Sequence, residues 1–241
     1  MTSHGPAARV LILAYRLICD ADGVCVGYGA KGSWRAVNVI GAGFGRTGTL
    51  SLNAVVLLTG LPSSGKSTLA RRAHERLLLA DRPAEVLDGD EVRRQFWPEL
   101  TLSSADRSSN LARIAALSAL LARNGVLVLA AAIAPYSDDR KAMRVLLEDS
   151  GLQFHEVHVA TPLEVCVERD VKGLYARQRR GEISQLTGVD AVYEVPAAPE
   201  LTIDTSRMRV EDSVSVLLKG VLGDALEPAF EQPANAPTTM P

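Results

Sequence analysis

Residues 60–68 carry the residue types and the spacing of a phosphate-binding loop. They read Gly-Leu-Pro-Ser-Ser-Gly-Lys-Ser-Thr, which fits the pattern of a glycine, four residues and then Gly-Lys-Ser/Thr. In such a loop the glycines let backbone N–H groups surround phosphate oxygens, Lys66 would reach the outer phosphates, and the Ser67 hydroxyl would ligate Mg²⁺. The residues that we predict to bind a nucleotide are Gly60, Ser63, Ser64, Gly65, Lys66, Ser67 and Thr68.

The segments on both sides of this loop support that interpretation. Residues 55–58 are Val-Val-Leu-Leu, a short apolar run typical of a buried parallel strand. After the loop, apolar residues recur at helical spacing, at Leu69, Ala70, Ala73 and Leu77. A phosphate in the loop would therefore lie at a helix N-terminus, where free N–H groups and the helix dipole favour anions. A glycine- and serine-rich turn that carried Lys-Ser by chance would lack one or both flanks.

Two aspartates follow the next predicted strand, residues 84–87. Ligands of parallel sheets gather at the carboxyl ends of the strands, and Asp88 and Asp90 lie there. Phosphoryl transfer needs a metal-neutralised triphosphate and a carboxylate that orients or deprotonates the acceptor hydroxyl. We predict that the two aspartates supply this carboxylate. The alternative is an ordinary Asp-Gly-Asp turn.

Basic residues are placed where they could hold an anionic acceptor. Arg93 lies one turn after the aspartates, and Arg107 and Asn110 lie near the start of a long predicted helix. The arginines could equally be solvated helix charges, but their nearness to the aspartates favours a binding role. Farther along, residues 172–194 form a polar stretch that suits a mobile lid closing over phosphates. Its basic residues and glycines are Lys172, Arg177, Arg179, Arg180, Gly173, Gly181 and Gly188.

From residue 54 onward the chain alternates predicted strands and helices. This order predicts an α/β fold with a mainly parallel sheet flanked by helices. Together with the phosphate loop, the two aspartates and the polar stretch, it predicts a phosphate-loop kinase with a mobile lid. After the first strand we predict strands over 84–87, 126–133, 154–159 and 201–203. We predict helices from residue 103, over 137–148, from residue 162, and over 210–221. Ser103, with Asp106 three residues later, resembles a capping box.

Composition sets the broad class of the protein. The 241 residues are 47% hydrophobic, which is enough for a sizeable core, and the net charge of −2 gives no sign of a nucleic-acid or membrane surface. The three cysteines have neither a metal-ligand spacing nor a disulfide framework, so we expect a reducing, cytoplasmic setting. Residues 10–18 are apolar, but Arg16 interrupts them and they are too short to span a bilayer.

The N-terminal segment has a different character. Val10–Leu13 could be a strand, and residues 38–52 contain the glycine-rich turn Gly-Arg-Thr-Gly-Thr. That turn resembles the 5′-phosphate loop of a group of bacterial sulfotransferases, but it lacks a following helix, and we interpret it as vestigial. We therefore divide the chain into an unassigned extension (1–37), this turn (38–52), a kinase-like domain (53–222) and a disordered tail rich in Pro, Ala and Thr (223–241).

Between residues 54 and 222, a series of short motifs in the right order closely resembles the adenylylsulfate kinases. They are Gly60–Thr68, Leu87–Asp90 with Val92-Arg93, Asp106-Arg107 with Asn110, Ile133 with Pro135-Tyr136, Thr161–Cys166, Lys172–Tyr175, Gly181–Ile183, Thr187–Asp190, Tyr193-Glu194, and Pro199–Leu201 ahead of Asp204-Thr205.

The resemblance implies an activity and a set of roles. The activity is transfer of the γ-phosphoryl group of ATP to the 3′-hydroxyl of adenylyl sulfate with Mg²⁺, usually in a homodimer. By position, Lys66, Asp88 and Asp90 are the implied catalytic residues, and Ser67 and Asp88 the implied metal ligands. The residues implied to hold adenylyl sulfate are Asp90, Arg93, Leu102, Arg107, Asn110, Ile133, Ala134, Lys172 and Leu186.

Two departures from the family pattern fall inside this site. Leu102 and Leu186 stand where the family commonly has phenylalanines that sandwich the acceptor adenine, which predicts weaker acceptor binding. Ala134 stands where many bacterial members have a serine once proposed as a phosphorylated intermediate, so no covalent route passes through it. Two alternatives remain open. One is a phosphate-loop kinase for another small hydroxyl compound, and the other is a weakly active protein that binds 3′-phosphoadenylyl sulfate.

Overall fold

The computed structural model describes residues 53–223 and the backbone of three short strands nearer the N-terminus. These strands are β1 (Ile18–Cys19), β2 (Cys25–Tyr28) and β3 (Trp34–Val37), and they pair antiparallel in that order. The sequence analysis did not predict them. The strand predicted at Val10–Leu13, the turn at 38–52 and the tail beyond residue 223 lie outside the described residues. The chain separates into two compact units, residues 1–49 and residues 50–241.

The second unit is built on a five-stranded sheet. Its strands are β4 (Ala54–Thr59), β5 (Ala84–Asp88), β6 (Leu127–Ala131), β7 (Gln153–Val159) and β8 (Leu201–Ile203). They lie in the order β5-β6-β4-β7-β8, and each neighbouring pair is parallel. The predicted parallel sheet is therefore confirmed. All residues of β4 are buried, as expected for a central strand covered on both faces.

Helices cover both faces of this sheet. They are α1 (Lys66–Leu79), α2 (Gly89–Phe96), α3 (Ser104–Arg123), α4 (Ser137–Asp149), α5 (Leu163–Arg169), α6 (Leu174–Arg179) and α7 (Val210–Leu222). Apolar residues of α1 and α7 pack against one face of the sheet and those of α3 and α4 against the other. The α/β fold class is confirmed.

Several element boundaries differ from the predicted ones. The helix α2 begins at Gly89, directly after β5, because the Asp88 side chain accepts the N–H groups of Asp90 and Glu91 and caps the helix. The predicted strand over 126–133 ends at Ala131. Ser103 caps α3 as predicted, by accepting the N–H of Asp106, but the Asp106 carboxylate accepts from Thr101, so the reciprocal half of a capping box is not formed. The polar stretch 172–194 contains the helix α6.

Candidate active site

The phosphate loop joins β4 to α1 through three residues with positive φ. Gly60 has φ 154°, Ser63 has φ 61° and Gly65 has φ 103°. Gly60 cannot be replaced without a shift, because a Cβ there would lie 2.6 Å from the carbonyl oxygen of Val159. The backbone curls as the motif predicts, and α1 begins at Lys66, so the helix N-terminus opens on the loop.

Two threonines, which follow the strands β7 and β8, hold the middle of the loop. The hydroxyls of Thr161 and Thr205 each donate to the carbonyl oxygen of Ser64, both at 2.9 Å. Arg169 in turn binds Thr205 through its hydroxyl and its carbonyl oxygen, at 2.8 and 3.0 Å. The shape of the loop is therefore set partly by residues about 100 and 140 positions later in the chain.

Lys66 is bound by the loop itself. Its Nζ donates to the carbonyl oxygens of Gly60 (2.9 Å) and Leu61 (2.6 Å) and to the Ser64 hydroxyl (3.3 Å). Burial lowers the pKa of Lys66 from its ordinary 10.5 to about 8, against the opposing attraction of Asp90 and Asp88. The ammonium group is already at the mouth of the loop, and an incoming triphosphate would replace these internal acceptors.

Ser67 and Asp88 provide two neighbouring oxygen ligands of the kind that Mg²⁺ prefers. The Ser67 hydroxyl donates to Asp88 Oδ2 at 2.6 Å, and Asp88 is almost fully buried. Within the part of the chain that the structure describes, no group of three or more His, Cys, Asp or Glu side chains could hold a metal ion. A site with one carboxylate and one hydroxyl fits Mg²⁺, which commonly takes one or two protein ligands and completes its shell with phosphate oxygens and water.

Asp90 contacts Lys172, in the polar stretch predicted to form the lid. Its Oδ2 accepts from Lys172 Nζ at 2.5 Å, and its Oδ1 lies 3.9 Å from Arg93 Nη2. Burial opposes ionisation of Asp90, but the hydrogen bond and charge of Lys172, together with Arg93 and Lys66, outweigh it and lower the pKa. The predicted residues Asp90, Arg93 and Lys172 are thus brought together.

Arg107 joins the start of α3 to the lid. It contacts the Thr187 hydroxyl and donates to the carbonyl oxygens of Gln185 (2.5 Å) and Leu102 (2.9 Å). Asn110, one turn later, donates to the carbonyl oxygen of Gly89 at 3.2 Å. Its Oδ1 is one of three buried side-chain polar atoms without a hydrogen-bond partner in the described part of the chain. An unpaired buried acceptor beside the aspartates is suited to a donor group on a ligand.

Ile133 and Ala134 lie in the segment of residues 133–137 that follows β6. We call this segment the acceptor turn, because the sequence predicts that its first two residues contact the acceptor. The Thr59 hydroxyl donates to the Ile133 carbonyl oxygen at 2.6 Å, and Arg140 Nη1 donates to that of Ala134 at 2.7 Å. Ala134 has φ 45°, a left-handed conformation that costs an alanine about 1–2 kcal/mol and persists only when its surroundings hold it. Sequence reasoning missed Thr59 and Arg140. The sequence did carry a signal for Arg140. This charged residue lies three and seven positions before Met143 and Leu147, on the same buried face of α4.

The two leucines that replace the expected phenylalanines have unlike surroundings. Leu102 is 46% exposed, whereas Leu186 is 6% exposed and belongs to a small apolar cluster with Cys166 and Tyr175. The Tyr175 hydroxyl donates to the carbonyl oxygen of Pro62 at 3.0 Å. This cluster therefore ties the lid to the phosphate loop, and the leucine at 186 is part of that packing.

The fold and the site define a phosphate-loop kinase: a parallel sheet presents a lysine-bearing loop, a serine–aspartate pair and a second carboxylate at one edge. The family model for adenylylsulphate kinase matches residues 52–204. The chain belongs to the adenylylsulfate kinase family.

Relatives and solved structures agree on this membership. The chain is 47% identical to an adenylyl-sulfate kinase of Paraburkholderia xenovorans over 165 residues, 68% of this chain and 90% of that protein. It is 45% identical to one of Geotalea uraniireducens, over 69% of this chain and 79% of that protein. The Mycobacterium tuberculosis APS kinase, solved in complex with AMPPNP and APS, superposes with a TM-score of 0.68 at 39% identity, over 69% of this chain and 96% of that one.

No helix in the described residues is long and apolar enough to cross a membrane.

Proposed function

We propose that this chain is an adenylylsulfate kinase. It transfers the γ-phosphoryl group of ATP to the 3′-hydroxyl of adenylyl sulfate and releases 3′-phosphoadenylyl sulfate and ADP. One observation carries the proposal: Asp88 binds the loop serine, while Asp90, two residues on, binds the lid lysine. One carboxylate thus serves the donor nucleotide and the other serves the acceptor.

The donor side of the reaction belongs to the phosphate loop. Backbone N–H groups of residues 60–68 and the Lys66 ammonium bind the triphosphate oxygens and stabilise the charge that develops on them in the loose transition state. Ser67 and Asp88 would hold Mg²⁺, which neutralises part of the triphosphate charge when bound. The bond that breaks joins the γ-phosphorus to the oxygen it shares with the β-phosphate, and that oxygen leaves on ADP.

The acceptor side belongs to Asp90 and the basic residues around it. The 3′-oxygen of adenylyl sulfate forms the new bond to the γ-phosphorus, and its proton passes to Asp90. In a loose transition state the oxygen loses its proton late, so a carboxylate with a lowered pKa can accept it. Arg93, Arg107 and Lys172 would bind the anionic groups of the acceptor. Leu102, Asn110, Ile133, Ala134 and Leu186 would surround its nucleoside.

Transfer is direct in this proposal. Ala134 has no hydroxyl to phosphorylate, so donor and acceptor must be bound together for an in-line reaction. Incubation with γ-labelled ATP and Mg²⁺ alone should leave no acid-stable label on the protein. A stable phosphoenzyme would contradict direct transfer.

The decisive assay measures ADP release from ATP and Mg²⁺ with and without adenylyl sulfate. We expect release that depends on adenylyl sulfate and exceeds that with AMP, which offers the same 3′-hydroxyl without the sulfate. The Lys66→Ala variant supplies the background. Turnover only with another hydroxyl compound would favour the second kinase hypothesis, to which the Leu102 and Leu186 departures point. Tight binding of 3′-phosphoadenylyl sulfate without turnover would favour the binding-protein hypothesis.

The cellular setting and assembly belong to the same proposal. We expect a homodimer in the cytoplasm. A hexameric APS kinase from Thiobacillus denitrificans, 31% identical with a TM-score of 0.52 over 73% of this chain and 29% of that one, shows that one relative assembles further. The molar mass of the purified chain in solution tests the dimer directly.

A further inference from the structure

Arg140 is a charged residue on the buried face of α4. Its side chain is 2% exposed, and Nε lies 2.6 Å from Glu156 Oε1, a carboxylate on β7 that is itself largely buried. A buried guanidinium group is tolerated only when it is paired and its N–H groups are hydrogen-bonded. The remaining partners of Arg140 therefore bear on what the residue does.

The other two nitrogens of the guanidinium group reach two separate segments of the site. Nη1 donates to the Ala134 carbonyl oxygen at 2.7 Å, in the acceptor turn. Nη2 donates to the Glu194 carbonyl oxygen at 2.8 Å. Tyr193 and Glu194 end the polar stretch that contains the lid, and we call this pair the lid root. One planar group thus spans the acceptor turn and the lid root.

Further contacts join the same two segments. The Glu194 N–H donates to the Pro135 carbonyl oxygen at 2.9 Å, and its carboxylate accepts the Ser137 N–H at 2.6 Å. The Tyr193 hydroxyl lies 3.0 Å from Thr59 Oγ1, and Thr59 donates to the Ile133 carbonyl oxygen. Burial raises the pKa of Tyr193 to about 12, so this phenol stays protonated. The unfavourable φ at Ala134 is held by this set of bonds.

We propose that Arg140 is a positioning residue for the acceptor: it holds the acceptor turn and the lid root in the one arrangement that binds adenylyl sulfate. This inference rests on the proposed function. Within the described residues, Arg140 binds Glu156, Ala134 and Glu194, which all lie outside the phosphate loop. Nucleotide binding should therefore not depend on it.

An Arg140→Lys variant tests the geometry of the group rather than its charge. Lysine keeps a positive charge near Glu156 but lacks the planar fork, so it cannot bind all three partners at once. We expect the KM for adenylyl sulfate to rise about tenfold or more, with the KM for ATP and kcat within about threefold of wild type. Equal rises in both KM values, or no rise in either, would overturn the proposal.

Arg144→Lys is the matched control. Arg144 lies one turn later on α4, with ion pairs to Glu148, to Glu200 and, at 3.8 Å, to the same Glu156 that Arg140 binds. Its hydrogen bonds within the described residues are with Glu148 and Glu200, so this variant perturbs α4 and Glu156 without touching the acceptor turn or the lid root. The same substitution there should leave both KM values within about twofold. If Arg144→Lys raised the acceptor KM as much as Arg140→Lys, a general loosening of α4 would explain the effect, and not the loss of the contacts between Arg140, the acceptor turn and the lid root.

A second variant and a second readout separate this inference from the proposed function. Tyr193→Phe keeps the buried ion pair and removes only the hydroxyl contact with Thr59, so it should fold and raise the acceptor KM about threefold. Hydrogen exchange of ligand-free protein should be faster at residues 136–137 and 193–194 in Arg140→Lys and unchanged at 60–68. If the wild-type protein does not use adenylyl sulfate, the proposed function fails. Hydrogen exchange still tests whether Arg140 holds the acceptor turn and the lid root together. Unchanged exchange at those residues would overturn the inference whatever the acceptor is.

Discussion

The two halves that we propose for this site, one for the phosphoryl donor and one for the acceptor, are built in different ways. The donor half consists of nine consecutive residues and Asp88, and its key groups are backbone N–H groups at the start of one helix. The acceptor half is assembled from segments far apart in the chain: Lys172 meets Asp90 across 82 residues, Arg107 meets Thr187 across 80, and Thr59 meets Ile133 across 74. Local sequence specifies the phosphate-binding groups of the first half, and two distant hydroxyls, those of Thr161 and Thr205, hold the middle of the loop. Long-range side-chain bonds specify the second, so substitutions outside any motif should affect acceptor binding more than nucleotide binding.

The largest effect is expected from substitutions in the donor half. Lys66→Ala and Asp88→Asn should each lower kcat by about 100-fold or more, since removal of one preorganised electrostatic group costs about 3 kcal/mol in the transition state. Asparagine is also a good helix cap, so Asp88→Asn should leave α2 in place and isolate the loss of charge. Steady-state kinetics with saturating ATP and adenylyl sulfate measure the effect.

Glu91→Gln is the control for this prediction. Glu91 follows Asp90 on α2 and pairs with Arg71, which also lies 3.9 Å from Asp88 Oδ2. Its substitution should change kcat less than about twofold. If Asp88→Asn kept near-normal turnover, the metal and base roles would both have to move to Asp90.

A smaller effect should appear in the acceptor half at Leu102. Stacking of a base on an aromatic ring is worth about 1–3 kcal/mol, so Leu102→Phe should lower the KM for adenylyl sulfate by up to about tenfold and change kcat little. Leu120→Phe on α3, at 47% exposure, is a control of nearly equal exposure and should have no effect. A KM unmoved by Leu102→Phe would mean that the leucine pocket is already complete or that the acceptor is another molecule.

Leu186→Phe should behave differently from Leu102→Phe. Leu186 packs with Cys166 and Tyr175, and added volume in such a cluster costs about 1–3 kcal/mol. We expect a lower melting temperature together with a smaller gain in acceptor affinity. The Leu102→Phe variant, at an exposed position, should keep its melting temperature. Equal behaviour of the two variants would show that both leucines face the acceptor in the same way.

The buried lysine predicts a proton coupled to nucleotide binding. Burial lowers the pKa of Lys66 to about 8 in the free protein, and a bound triphosphate would raise it. ATP binding at pH 9 should therefore take up close to one proton and be about tenfold weaker than at pH 7, where Lys66 is protonated in both states. Calorimetry in buffers of different ionisation enthalpy measures the uptake. Binding at pH 9 without proton uptake would contradict the lowered pKa.

The smallest effect is expected from removing residues 1–52. The compact unit that contains the site starts near residue 50, and the carbonyl oxygen of Asn53 is the first described contact of the sheet, with the Gln153 N–H at 2.9 Å. Turnover of the shortened chain should stay within a few-fold of the full chain, with a similar melting temperature. A large loss of activity in a folded, shortened chain would assign the segment to the site or to a subunit contact.

The parts of the molecule that were predicted correctly are those whose structure depends on residues close together in the sequence. The loop at 60–68, the parallel sheet and the α/β class follow from motif spacing and apolar periodicity, and they are confirmed. Asp88 was recognised as a functional candidate, but its second role as the cap of α2 was not. Thr59, Arg140 and Thr205 were given no role, because each is a single polar residue at a strand or helix end. Only the packing of distant elements turns them toward the loop or the acceptor turn.

The bond between Thr205 and the Ser64 carbonyl oxygen links the shape of the phosphate loop to the end of β8, about 140 residues later in the chain. A polypeptide that stops before β8 contains the whole Gly-x-x-x-x-Gly-Lys-Ser motif and Arg169, but it lacks Thr205, one of the two hydroxyls that hold the loop and the residue that Arg169 binds. Such a fragment can present the motif without its final shape. We therefore expect a fragment that ends before β8 to be retained on immobilised ATP less well than a chain that includes residue 205.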